Sequence, residues 1–220
     1  MTTSVLPRPA QSQPTGLSGI TMSVSLVLIG WFLLVVSLAA VGAFVARPGT
    51  PPIPIAIGVG APLIAFFAWL RLSPAFRDFV LSLDLRFIAG IQAWRWAGLG
   101  FLDLYAHNIL PGIFAIPAGL GDMAVGFVAP WMILALVRRP DFAASASFRR
   151  WNVLGIVDLV VAVSLGTLTA MLSTGAPGEI STAPMATLPL LLIPGFLVPL
   201  FLMLHAVALM QSQQIIRTRA

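Results

Sequence analysis

Ile20–Ala46 reads ITMSVSLVLIGWFLLVVSLAAVGAFVA, a stretch with no charged residue. A helix of about 20 apolar residues crosses the hydrocarbon core of a bilayer, and this stretch exceeds that length. It is also too long for the apolar region of a signal peptide, so it reads as an uncleaved anchor. Five more stretches of the same kind follow, at about Ile53–Leu70, Leu85–Asn108, Gly112–Val137, Phe148–Leu172 and Leu188–Met210. Lipid offers no partner to backbone polar groups, and runs of this length are too long and too uniformly apolar for barrel strands. The expected fold is therefore all-α: a polytopic membrane bundle of six transmembrane helices arranged as three hairpins.

Composition agrees. Hydrophobic residues make up 59% of the 220, charged residues 9%, and the mean hydropathy is +1.00. The expected organisation is a flexible cytoplasmic tail over residues 1–18, a six-helix membrane domain over 19–213, and a cytoplasmic C-terminal tail over 214–220. Between the second and third stretches, Ser73-Pro74 is a helix-start pair. Phe76, Phe79, Val80 and Leu83 then recur at helical spacing opposite Arg77 and Asp78, which predicts a short interfacial helix near 74–84.

All twelve basic residues are arginine, and neither lysine nor cysteine occurs. A Schiff base, a phosphate-loop lysine, a thiolate nucleophile and a cysteine-held cluster are thereby excluded. With a cytoplasmic N-terminus, Arg8, Arg71, Arg77, Arg86, Arg138, Arg139, Arg149, Arg150, Arg217 and Arg219 fall on the inner side and only Arg47 on the outer. That is the positive-inside pattern, here pointing to a bacterial inner membrane with both termini cytoplasmic. The expected partners are a bilayer with anionic headgroups on the cytoplasmic side, a small solute or proton, and a membrane-protein partner or homo-oligomer. Nucleic acid is not expected, because the arginines are scattered between spans.

Proline divides the spans. The first, third and fifth have none and are expected to be straight. The second, fourth and sixth carry Pro62, Pro117, Pro130, Pro194 and Pro199 and are expected to bend, above all at Gly58–Pro62 and Pro117–Asp122. A short pattern also recurs: Arg95-Trp96-x-x-Leu99-Gly100-x-x-Asp103-Leu104 and Arg150-Trp151-x-x-Leu154-Gly155-x-x-Asp158-Leu159. Ala89, Ala93 and Ala97 form a four-residue stripe suited to close helix approach.

Ionisable groups inside lipid are costly and pair with one another. The candidate solute- or proton-binding residues are Gln92, Arg95, Asp103, Asp122, Asn152, Asp158 and His205. Counting helical rise from the inner span ends groups Arg95, Asp158 and His205 at ~10–15 Å depth, with Gln92 beside Arg95. The same count sets Asp103 and Asp122 apart at ~25 Å, with His107 above them. One deep arginine faces three carboxyls, and a carboxyl without a countercharge in low dielectric holds its proton more readily. The alternative is a satisfied Arg–Asp network that only fixes helix register.

No cofactor is expected. His107 and His205 lie ~20 Å apart along the membrane normal, too far to share one haem, and no paired-histidine metal motif occurs. No nucleophile elbow is present either. The leading expectation is small-solute transport or permeation, with coupling to protons, through a cavity lined by Arg95, Asp122 and Asp158. The alternatives are a non-catalytic accessory or sensory membrane subunit and, third, a lipid- or quinone-modifying enzyme using His205 and Asp158.

Overall fold

The computed structural model describes residues 15–218, and the described residues contain helices and turns but no strand. Most of the stretch read as an N-terminal tail, and the last two residues of the chain, lie outside the described residues. Helix α1 spans Thr15–Ala40, α2 Ile53–Leu72, α3 Pro74–Leu81, α4 Leu85–Gln92, α5 Leu99–Ala106, α6 Gly112–Arg138, α7 Ala146–Leu172 and α8 Val198–Arg217. Five helices are long and apolar enough to cross a membrane: Gly19–Ala40, Ile53–Leu72, Gly112–Arg138, Ala146–Leu172 and Ile193–Arg217. The protein is thus an all-helical bundle of membrane type. The C-terminal tail expected from 214 begins inside α8, which stays helical to Arg217.

Leu85–Ala106 does not form one straight α-helix, although it lacks proline. Between α4 and α5, Ala93–Gly98 tightens into a 3₁₀ helix. Three residues per turn then put Gln92, Arg95, Gly98 and Phe101 on one face, and all four are buried. Trp94 and Trp96 face outward, and the alanine stripe is broken, leaving Ala89 buried and Ala97 exposed. The tight segment lies against α6, where a Cβ on Gly119 would stand 2.8 Å from the Gly98 carbonyl oxygen.

The proline-bearing helices keep their helical assignment: α2 runs unbroken through Pro62, and α6 through Pro117 and Pro130. A proline costs a membrane helix one backbone bond, which neighbouring helices and local adjustment make tolerable. Only the sixth stretch deviates, with a π turn at Ile193–Leu197 around Pro194 ahead of α8.

Two apolar clusters mark the ends of the bundle. At one end Leu70, Val80, Ile88, Leu136, Phe148 and Val207 join the ends of α2, α3, α4, α6, α7 and α8. At the other, Phe101, Leu110, Phe114 and Met185 join α5, the start of α6 and the 183–186 turn. α3 starts on a Ser73 cap, with Phe76 N–H donating to Ser73 Oγ at 3.2 Å. It packs Phe76 and Val80 across the first end, and Trp69 stacks on Phe76 at 4.0 Å. Gln211 of α8 donates to Val80 O at 3.2 Å and Leu83 O at 3.0 Å, tying α3 to the bundle.

Candidate functional site

The 3₁₀ face carries Arg95 into the centre of the bundle, where it is 1% exposed. Its guanidinium meets three other elements. Nε donates to Asp122 Oδ1 of α6 at 2.7 Å, and Nη2 donates to Asp158 Oδ2 of α7. Nη1 donates to Gly155 O at 3.3 Å and lies 3.2 Å from His205 Nε2 of α8. A guanidinium has donors only, so His205 Nε2 accepts. His205 Nδ1 therefore carries the proton and donates to Asn152 Oδ1 at 2.9 Å. Asn152 completes the chain by giving Nδ2–H to Phe148 O at 2.9 Å. The network thus assigns a neutral imidazole held at both nitrogens. Phe201, with its ring 6.0 Å from Arg95 Cζ, and Trp151, 5.7 Å from the His205 ring, enclose the group.

Two glycines make the room. A Cβ on Gly155 would stand 2.2 Å from His205 Nε2, and one on Gly121 would overlap Asp158 Oδ1. Both glycines sit in the middle of long helices, where only the missing side chain lets these polar groups approach.

The geometry regroups the sequence-derived candidates. Arg95, Asp158, His205 and Asn152 come together, and Asp122 joins them. Gln92 is fully buried next to the group but bonds elsewhere, donating to Phe201 O at 3.4 Å. Asp103 stands apart: it pairs with His107 at 3.4 Å on α5, and both side chains are 68% exposed. Depth counted from helix ends set Asp122 with Asp103, whereas α6 lays it against Arg95.

Asp122 also lines a cavity of about 330 Å³. Its rim is the 46–52 turn and the 173–183 loop, with Arg47 and Glu179 exposed there. Its floor lies among Asp122, Leu159 and Val198. Asp122 is ~15 Å along α6 from Gly112, and Leu159 is ~20 Å along α7 from Leu172, so the cavity reaches mid-bundle. Phe44, Phe101 and Phe114 are in its wall. Arg95 and Asp158, expected on the same wall, are not among its lining residues and reach it only through the Arg95–Asp122 contact. The volume is in the range of small-molecule sites, which are mostly apolar with a few placed polar groups.

At the rim, Glu179 folds the 173–179 loop onto itself. It accepts from Thr174 N–H at 2.9 Å, Thr174 Oγ1–H at 2.9 Å, Gly175 N–H at 2.6 Å and Ala176 N–H at 3.2 Å. The Thr174 backbone bond, then the other donors, hold its carboxyl below the usual glutamate range.

A helical membrane bundle with a buried Arg–Asp–His network under a half-open cavity is the class of protein that these features define. The chain belongs to the family described as Domain of unknown function (DUF8737), which matches residues 52–211 and so contains every member of the network. No curated protein and no solved structure matches the chain.

Proposed function

We propose that the protein is a six-crossing carrier of the bacterial inner membrane that binds a small, largely apolar solute from the outer side and moves it in exchange with a proton. The observation that carries this reading is the cavity: its lining runs from the exposed 46–52 and 173–183 segments to Asp122, and Asp122 is held by the buried Arg95 network. A neutral, hydrogen-bonded His205 behind two carboxylates is a group through which a proton can be handed on.

The sixth crossing is Leu85–Ala106. At the rises of α and 3₁₀ helix it is about 36 Å long, enough for a hydrocarbon core of about 30 Å. It also begins in one end cluster, at Ile88, and finishes in the other, at Phe101. The end with α3 gathers Arg71, Arg77, Arg86, Arg138, Arg139, Arg149, Arg150 and Arg217, which supports a cytoplasmic assignment beside anionic headgroups. That end is filled by packed side chains, so inward release requires α3 and its neighbours to move.

The test uses full-length protein in liposomes under an imposed pH gradient. Uptake of radiolabelled neutral, cationic and anionic amphiphiles is measured for wild type and Asp158→Asn. Gradient-driven uptake of at least one class, lost in a folded Asp158→Asn, supports the carrier. No uptake of any class by folded wild type overturns it.

A further inference from the structure

We infer that the cavity selects organic cations: small amphipathic ammonium compounds whose charge rests on Asp122 and whose apolar part fills the phenylalanine wall. This rests on the reading of the cavity as a solute site and adds the class of solute.

The first ground is charge. Arg95 supplies one positive charge, Asp122 and Asp158 two negative charges, and His205, with its proton fixed on Nδ1 and its Nε2 accepting from Arg95, none. The ionised network therefore carries one uncompensated negative charge in the middle of the bundle, where such a charge is costly. Either a proton or a ligand cation balances it. The groups facing that charge are Arg95 from the 3₁₀ segment, Asp122 from α6, Asp158 from α7 and His205 from α8. Arg47 and Glu179 line the same cavity at exposed positions and are of opposite sign, so together they add no net charge.

The second ground is the wall. Arg95 engages Asp122 through Oδ1, and Asp122 is the carboxylate that lines the inner part of the cavity. Phe44, Phe101 and Phe114 line the same space, and Phe101 and Phe114 meet edge to face at 5.5 Å. Aromatic faces together with a carboxylate are the surroundings that recognise alkylated ammonium groups. An anionic solute would meet the net negative floor, and a neutral one would leave the charge unbalanced. Proton and cation thus compete for one site, which is the logic of an exchanger.

Three probes that share a benzyl group test this on purified full-length protein in nanodiscs: benzyltrimethylammonium, its neutral isostere neopentylbenzene, and the anion phenylacetate. Wild type is expected to bind the cation on the order of tenfold or more tighter than the neutral isostere. Lowering the pH should weaken the cation and leave the neutral compound unaffected. Phe44→Leu should cost the cation several-fold and the neutral compound less. Asp122→Asn should abolish the preference while neopentylbenzene still binds; because that variant could misfold, the wild-type comparison decides by itself. Equal binding of the cation and the neutral isostere, or tighter binding of phenylacetate, overturns the cation assignment and leaves the solute cavity standing. Binding of none of the three overturns both.

Discussion

Arg95 and Asp158 form an ion pair across 63 residues of chain, each supplied by a different copy of the R-W-x-x-L-G-x-x-D-L pattern. The copies do not share environments. Arg150 is exposed where Arg95 is buried, and Asp103 is exposed where Asp158 is paired. Trp96 is exposed, whereas Trp151 is buried and donates Nε1–H to Val125 O at 3.2 Å. The pair is a joint between α7 and the 3₁₀ segment, not a repeated element.

Removing the arginine strands two carboxylates. Arg95→Met is expected to cost about 3–5 kcal/mol, because an uncompensated buried charge is left behind. The triple variant Arg95→Met/Asp122→Asn/Asp158→Asn should regain more than half of that. Denaturant unfolding in detergent measures both; equal loss in the two variants would mean that the carboxylates do not depend on Arg95.

Gly155→Ala places a methyl group against His205 and is expected to destabilise by about 1–3 kcal/mol. In a His205→Ala background the same substitution should cost far less, since the atom it meets is gone. A double-mutant cycle on thermal unfolding gives the difference directly.

The proposed crossing at Leu85–Ala106 can be tested with thiol chemistry, since the chain has no cysteine. A maleimide that does not cross the membrane should label His107→Cys in intact cells and Ser82→Cys only after permeabilisation. Labelling of both from one side would mean that Leu85–Ala106 turns back within the membrane.

The rim loop should respond to acid. Donors from Thr174 to Ala176 lower the carboxyl pKa of Glu179 in the folded loop, so their stabilising effect is complete above the unfolded value near 4.5 and is lost as the pH falls through the lower folded value. Amide NMR shifts of Thr174 and Gly175 should titrate with a midpoint below 4.5, and in Glu179→Gln they should stay flat. A midpoint at or above 4.5 would contradict the assignment.

Much of this was legible in the chain. Apolar length revealed the five helices long enough to cross a membrane, and Ser73-Pro74 with its spaced phenylalanines revealed α3. Scarcity of intramembrane charge led to Arg95, Asp158 and His205. Asp122 was misplaced because counting depth from span ends assumes that the ends are level. α6 and α7, at 27 residues each, are about 40 Å long and overshoot the hydrocarbon core, while the 3₁₀ turn lifts Arg95 further along its own axis. Proline marked the π turn at Ile193–Leu197 but gave no sign of the 3₁₀ segment at Ala93–Gly98, which departs from α geometry without one. The overlooked signal was the three-residue spacing of Gln92, Arg95, Gly98 and Phe101. Gly121 and Gly155 had no signal of their own, because the clearance they provide exists only once α6, α7 and α8 are packed.

The 3₁₀ turn also has the geometry of a screw. Were Ala93–Gly98 to rewind to α geometry, the segment would shorten by about 3 Å and α5 would rotate by about 120° relative to α4. Phe101 in the cavity wall and Arg95 beneath its floor ride on that one thread, so releasing the arginine and reshaping the chamber would be a single motion.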